Sequence, residues 1–162
     1  MADSQSKLQA TAANAMSRAE IDGFLRSGCR NAILGTQRPD GHVQVTPVWY
    51  WWEDRLAHVE LGEARQHLRN LRAVPRATLL VEEDLRLTRG WRAGAKGVML
   101  AGPVEITGDP ALHGPVSAKM AEHYLGDDKD DPDFLATVGD ETFYLVTIRP
   151  ERIVSWDYTK AV

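Results

Sequence analysis

Along most of this chain apolar residues recur at every second position, the period of a half-buried strand, and only three short stretches recur at three and four as a helix does. The first helical stretch opens on Ser17 and Glu20, a capping-box pattern. Its apolar stripe is Ile21, Phe24 and Leu25, and Gly28 closes it. Asn31–Gln37 then reads as a strand, Arg38-Pro39-Asp40-Gly41 as a turn, and His42–Trp52 as the second arm of a hairpin. Glu53-Asp54-Arg55 turns the chain again into a third strand, Leu56–Leu61. Before all of these, residues 1–16 are small and polar with little periodicity. The pattern predicts a disordered N-terminal arm over 1–16 and a single domain over 17–162.

Beyond Leu61 the period changes. A bend at Gly62 leads into a helical turn ended by Pro75, and Thr78–Val81 resumes as strand. Glu82–Gly97 is charged and glycine-containing, and reads as a long loop or irregular hairpin before the strand Val98–Thr107. Asp109-Pro110 opens the third helical stretch, to about Leu125, with Val116, Met120 and Tyr124 at fourfold spacing. The acidic run Asp127–Asp133 reads as a solvated loop. Phe143–Ile148 and Ile153–Tyr158 complete the strands. Six or seven strands joined mostly as antiparallel hairpins predict a mainly β fold, a closed or partly closed barrel carrying peripheral helices. No G-x-G-x-x-G lies between a strand and a helix, and no P-loop is present, so neither nucleotide fold is expected.

Charge and composition narrow the chemistry. With 162 residues and a net charge of −4, the chain lacks the broad basic footprint of a nucleic-acid protein. The lone Cys29, the absence of a secretory pattern and the absence of a long apolar run predict a cytoplasmic protein that does not span a membrane. His42, His58, His113 and His123 are scattered without ligand spacing, so no metal site is expected, and no nucleophile–base constellation stands out.

Positive charge is local. Arg65, Arg69 and Arg72 follow at intervals of four and three, on one helical face just after a strand end. Such a face is either simply solvated or, with the partly positive helix start beside it, an anion site. In VQVTPVWYWW, Val45, Pro47, Trp49 and Trp51 alternate with Thr46, Val48, Tyr50 and Trp52, so both faces of the strand are largely apolar. Something must cover the second face, either a partner subunit or a flat ligand. Pro47 donates no ladder hydrogen bond and belongs at an edge or bulge.

In order and spacing, PDGHVQVTPVWYWW, VELGEARQHLRNLRAVPRATLLV, GVMLAGPVEITGDP and IRPERIVSWD resemble the pyridoxamine 5′-phosphate oxidase-like split β-barrel superfamily, from about Glu20 to Asp157. The resemblance is nearest to its flavin/deazaflavin oxidoreductase branch, whose members use coenzyme F-420 or FMN. It implies a six-stranded antiparallel split barrel of the FMN-binding type, a homodimer with a cofactor in each interfacial groove, and a small-molecule acceptor. By position, the resemblance assigns Thr46, Pro47 and Val48 to the ring, and Leu61 and Gly62 to the strand end beside it. Arg65 is assigned to the phosphate, and Asn70 to fixing the helix. His67 stands where relatives usually carry lysine. Lys96 and Trp156 match segments that relatives bring to the groove from the opposite subunit. The cofactor then carries the hydride and no catalytic side chain is specified. The leading expectation is an F-420-dependent reductase. An FMN-binding pyridoxamine 5′-phosphate oxidase-like oxidoreductase and a non-catalytic flavin- or haem-binding protein with His67 as axial ligand are the alternatives.

Overall fold

The computed structural model describes residues 7–9, 14–90 and 93–161, and in it the chain folds around one continuous β system. The strands are β1 (Lys7–Gln9), β2 (Ala32–Gln37), β3 (Val43–Val48), β4 (Trp51–Glu53), β5 (Leu56–Gly62), β6 (Arg76–Asp84), β7 (Ala95–Thr107), β8 (Phe143–Ile148) and β9 (Arg152–Asp157). The helices are α1 (Arg18–Arg26), α2 (Gln66–Ala73), α3 (Arg86–Arg89), α4 (Pro110–Leu125) and α5 (Pro132–Val138). The mainly β class with peripheral helices is as expected. Six strands is too few: nine strand segments occur among the described residues, β1 and β4 being only three residues long.

Pairing runs β3-β2-β6-β7-β8-β5-β4, and β3 and β4 are consecutive pieces of one chain segment. The sheet therefore begins and ends on the same stretch, which is how it closes into a barrel. Only Trp49 and Tyr50 separate the pieces, where the sequence pattern implied one uninterrupted strand. The break is held by a side chain. The Tyr50 amide donates to the Tyr124 hydroxyl at 3.2 Å, that hydroxyl donates to the Arg30 carbonyl at 2.7 Å, and the Trp49 and Tyr124 rings stack 4.7 Å apart. A ladder hydrogen bond has thus been exchanged for one to α4, which satisfies the amide equally well.

The split in the barrel comes from β7. Its first half, Lys96–Ala101, pairs with β9, and its second half, Val104–Thr107, pairs with β8 on the same edge. The β8–β9 connection crosses at Gly102, where a Cβ would collide with the Arg149 carbonyl. Only glycine lets the two strands change over there.

Inside, Leu34, Val59, Leu79, Val98, Leu100 and Val146 are fully buried in one cluster, with Leu68 and Leu71 of α2 packed onto it. Tyr50 Oη donates to the Leu25 carbonyl and Trp52 Nε1 to Asp22, pinning α1 to β4. The disordered arm needs correcting in part. Lys7–Gln9 pairs in parallel with β9, Met16 is buried, and its amide donates to Ser155 Oγ, while residues 1–6 and 10–13 lie outside the described residues.

Of the two readings given for residues 82–97, the irregular hairpin is the one found: β6 runs to Asp84, β7 starts at Ala95, and α3 follows β6. One other segment differs from the sequence pattern. The acidic run 127–133 is a 3-10 turn, Gly126–Asp130, followed by the start of α5, whose first amides Asp131 caps at Asp133 and Phe134. Among the described residues no helix is long and apolar enough to cross a membrane.

Candidate functional site

Where β3 leaves β4, a cleft opens between β3 and the free end of β5. β5 pairs with β4 only as far as His58, while Val59–Gly62 pairs with β8 alone. Thr46, Pro47 and Val48 form one bank, Glu60, Leu61 and Gly62 the other, and α4 and α5 roof it. The cavity is about 630 Å³, within the range of sites that enclose a tricyclic ring. Pro47 sits on a strand paired on one side only, as a residue without an amide hydrogen must.

At one end lies the start of α2. Arg65 is its N-cap residue rather than part of the helix, its amide donates to the Gly62 carbonyl at 3.0 Å, and no side chain caps the first helical amides. The Arg65 side chain and the first turn of α2, through His67, line this end of the cleft. The guanidinium meets Glu141 Oε2 at 3.1 Å, and that same carboxylate lies against the Gly62 Cα so closely that a Cβ there would collide with it. A carboxylate of the protein thus stands where an exogenous anion would meet Arg65.

His67 lines the cleft and is largely buried. Burial, and then the positive Arg65, hold its pKa below the ordinary 6.5, so the imidazole is neutral at pH 7. Its ring nitrogens have no hydrogen-bond partner among the described residues.

The other expected site residues are placed differently. Asn70 is wholly buried behind the cleft and does not line it. Its amide donates to Thr36 Oγ1 at 3.0 Å and Gln44 Oε1 at 3.1 Å, and its carbonyl oxygen accepts from Gln66 at 2.9 Å. These bonds fix α2 against β2 and β3. Arg69 is held by Gln66 and the Ala64 carbonyl. Arg72 makes a two-pronged pair with Glu63 at 2.7 and 2.9 Å, which draws the Glu63 carboxyl down to about 2. The three arginines are therefore not one bare cationic face.

Lys96 lies within β7, not before it, and pairs with Asp157 at 2.9 Å. Burial pushes the Asp157 carboxyl up, but hydrogen bonds from Thr159 and Lys96 outweigh it and the net direction is down. Trp156 lies over Gly97 on the neighbouring strand, where a Cβ would strike its ring. Neither Lys96 nor Trp156 lines the cleft of its own chain.

Sequence reasoning missed two lining residues, His113 on α4 and Glu60 on β5. Their side chains meet at 2.5 Å inside the cleft. Among the described residues no three His, Cys, Asp or Glu side chains converge as a metal site would need.

The model of the pyridoxamine 5′-phosphate oxidase family matches residues 17–157. The chain belongs to this family. Among solved structures it is similar to a conserved hypothetical protein of Mycobacterium tuberculosis, Rv2991, at 30% identity and a TM-score of 0.78 over 94% of this chain and 92% of that one. It is also similar to an F-420 reductase, at 23% identity and a TM-score of 0.58 over 80% and 93% of the two chains. A third similarity is to HutZ, a haem storage protein of Vibrio cholerae, at 21% identity and a TM-score of 0.63 over 82% and 89%. The last two speak to the fold alone.

Proposed function

We propose that this chain is a coenzyme F-420-dependent reductase that passes hydride to an electrophilic small molecule, working as a homodimer in the cytoplasm. The observation that carries the reading is the shape of the cleft. One end offers a guanidinium and uncapped helix amides, and the remainder, between β3 and β5, is wide and mostly apolar. A flat redox cofactor with a phosphate tail matches both ends. When bound, the reduced cofactor supplies a hydride. The protein's part is to hold the tail at Arg65 and the first turn of α2, to lay the edges of Thr46–Val48 and Leu61–Gly62 along the ring, and to exclude water under α4 and α5. FMN is the competing cofactor for the same groups. F-420 is preferred because a similar fold carries the name F-420 reductase.

Support for the dimer is the outer face of β2 and β3, where Val43 is 72% and Val45 66% exposed beside Ile33 and Pro47. Quenching of the tryptophans on titration with F-420 and FMN tests the choice. Micromolar uptake of FMN with none of F-420 overturns it.

A second reading, a haem-storing protein, is favoured by one observation, the neutral and unpartnered imidazole of His67 in the cleft. Its mark is a Soret band that disappears in His67→Ala.

Two further results are expected. Replacing Glu141 by alanine removes the carboxylate that competes for Arg65, so binding of either phosphate-bearing cofactor tightens by about threefold to tenfold, about 1 kcal/mol for a solvent-exposed pair; isothermal titration calorimetry checks this. His67 gives a pH dependence of definite sign. Its depressed pKa means that the unfolded chain binds protons more readily, so its contribution to stability is lost as pH falls below 6.5. A bound phosphate acts oppositely, because it favours the imidazolium. Affinity for F-420, whose phosphodiester does not titrate, should rise about threefold from pH 7.5 to 5.5 and stay flat in His67→Gln.

A further inference from the structure

Between α4 and β8 the chain passes over the cleft on a span, residues 127–141, that the rest of the molecule holds lightly. Phe134, Leu135 and Val138 of α5 line the cavity, yet none of the described side chains in the span is buried, and Leu135 is 53% exposed. A segment without a buried apolar anchor opens locally at small cost. A glycine of positive φ stands at each end of the cleft-lining part, Gly126 at +55° and Gly139 at +60°. Gly126 has open space where a Cβ would be, and such joints bend without steric penalty. Charge ties the span down near both ends. Lys129 meets Glu122 of α4 at 3.1 Å, and Glu141 meets Arg65 at 3.1 Å. Just beyond, the Thr142 carbonyl accepts from the Glu63 amide at 2.8 Å and the chain enters β8, so any movement stops there. The second tie is made to the same guanidinium that marks the anion end of the cleft. A carboxylate and a phosphate cannot both hold it closely, because the two anions repel.

We propose that residues 127–141 are a lid, hinged at Gly126 and Gly139 and latched by Glu141 on Arg65, and that an oxyanion bound at Arg65 releases it. The proposal rests on the reading of Arg65 as the phosphate end and adds an order of binding to it. The Arg65 side chain is well solvated, so a phosphate reaches it while the lid is shut. Displacing Glu141 then frees α5 to swing aside for the acceptor and to settle over it through Phe134 and Val138. Cofactor enters first and acceptor second. The size of the effect is modest, since a solvated ion pair shifts an equilibrium only a few-fold.

Amide hydrogen exchange of the peptide covering 127–141 tests this in the purified full chain, with inorganic phosphate as the probe. Sodium chloride at the same ionic strength is the control, because screening alone weakens an exposed pair. Phosphate is raised until exchange no longer changes, and peptides of β6 serve as the internal reference. In the wild type, phosphate should speed exchange of the span about threefold over chloride. Glu141→Gln, which keeps the shape and removes the charge, should exchange at that faster rate in both salts. Glu122→Gln loosens the other tie, so its exchange should already be faster in chloride and rise further with phosphate. Equal or slower exchange of the wild type in phosphate overturns the proposal, as does a phosphate response that survives in Glu141→Gln. The same samples titrated with F-420 and FMN separate the two claims. Cofactor uptake with no change in the span sinks only the lid, and phosphate-driven release without uptake of either cofactor sinks only the reductase reading.

Discussion

Reversing the charge at Arg65, by Arg65→Glu, should weaken binding of F-420 and of FMN by about 100-fold, about 2.7 kcal/mol, while the melting temperature stays within a degree or two. The size follows from three changes at one point. A charge-assisted hydrogen bond to the phosphate is lost, a like charge takes its place, and the new carboxylate lies close to Glu141. The small effect on folding follows from exposure, since the Arg65 side chain is well solvated and its ion pair is of the kind worth little to stability. What Arg65 contributes structurally is its amide, bonded to the Gly62 carbonyl, and the substitution leaves that in place. Calorimetric titration beside a thermal melt separates the two quantities. Affinity unchanged by charge reversal would remove Arg65 from the site.

Asn70→Leu should do the reverse, costing about 4 kcal/mol of folding stability and reaching the cofactor only through the shape of the cleft. Asn70 satisfies three partners at once, on β2, on β3 and on its own helix, in a place with no access to water. Leucine of similar volume leaves the Thr36 hydroxyl and the Gln44 side chain without that partner and forces a branched methyl into space shaped for a planar amide. The helix start, with its uncapped amides, is positioned by this same network. Urea unfolding should show a lower midpoint with the slope unchanged. A loss below about 1 kcal/mol would mean that the helix is held by Leu68 and Leu71 alone.

Much of this architecture is legible in the amino-acid order because local chemistry and tertiary packing agree. The capping box at Ser17 and Glu20 forms as its residues require, with Ser17 accepting from the Glu20 amide and Glu20 accepting from the Ser17 amide. The Asp-Gly turn leads into the β2–β3 hairpin, and Val45 and Pro47 fall together on one face of β3, as alternation requires. Disagreement arises where a distant group decides. VQVTPVWYWW reads as one strand because nothing within it signals a break; the break exists because Tyr124, 74 residues later, offers the Tyr50 amide another acceptor. Helix α5 was hidden in an acidic run, although Asp131-Pro132 is a helix-start pair that could have revealed it.

The site divides along the same line. Arg65, His67, Thr46–Val48 and Leu61–Gly62 are close in sequence to the two strand ends that make the cleft, and the fold brings them to it. Lys96 and Trp156 lie on β7 and β9, whose partner exchange at Gly102 carries them away from their own chain's cleft. His113 carries no local mark, since a histidine on a polar helix face looks the same whether it meets water or Glu60. Only the packing of α4 across β5 distinguishes the cases.

The most direct measurement is native mass spectrometry of the protein incubated with F-420, FMN and haem together, which reads subunit number and ligand in one spectrum. The account predicts a dimer carrying two molecules of F-420, reduced to bare dimer in Arg65→Glu. A monomer that retains neither F-420 nor FMN would contradict it.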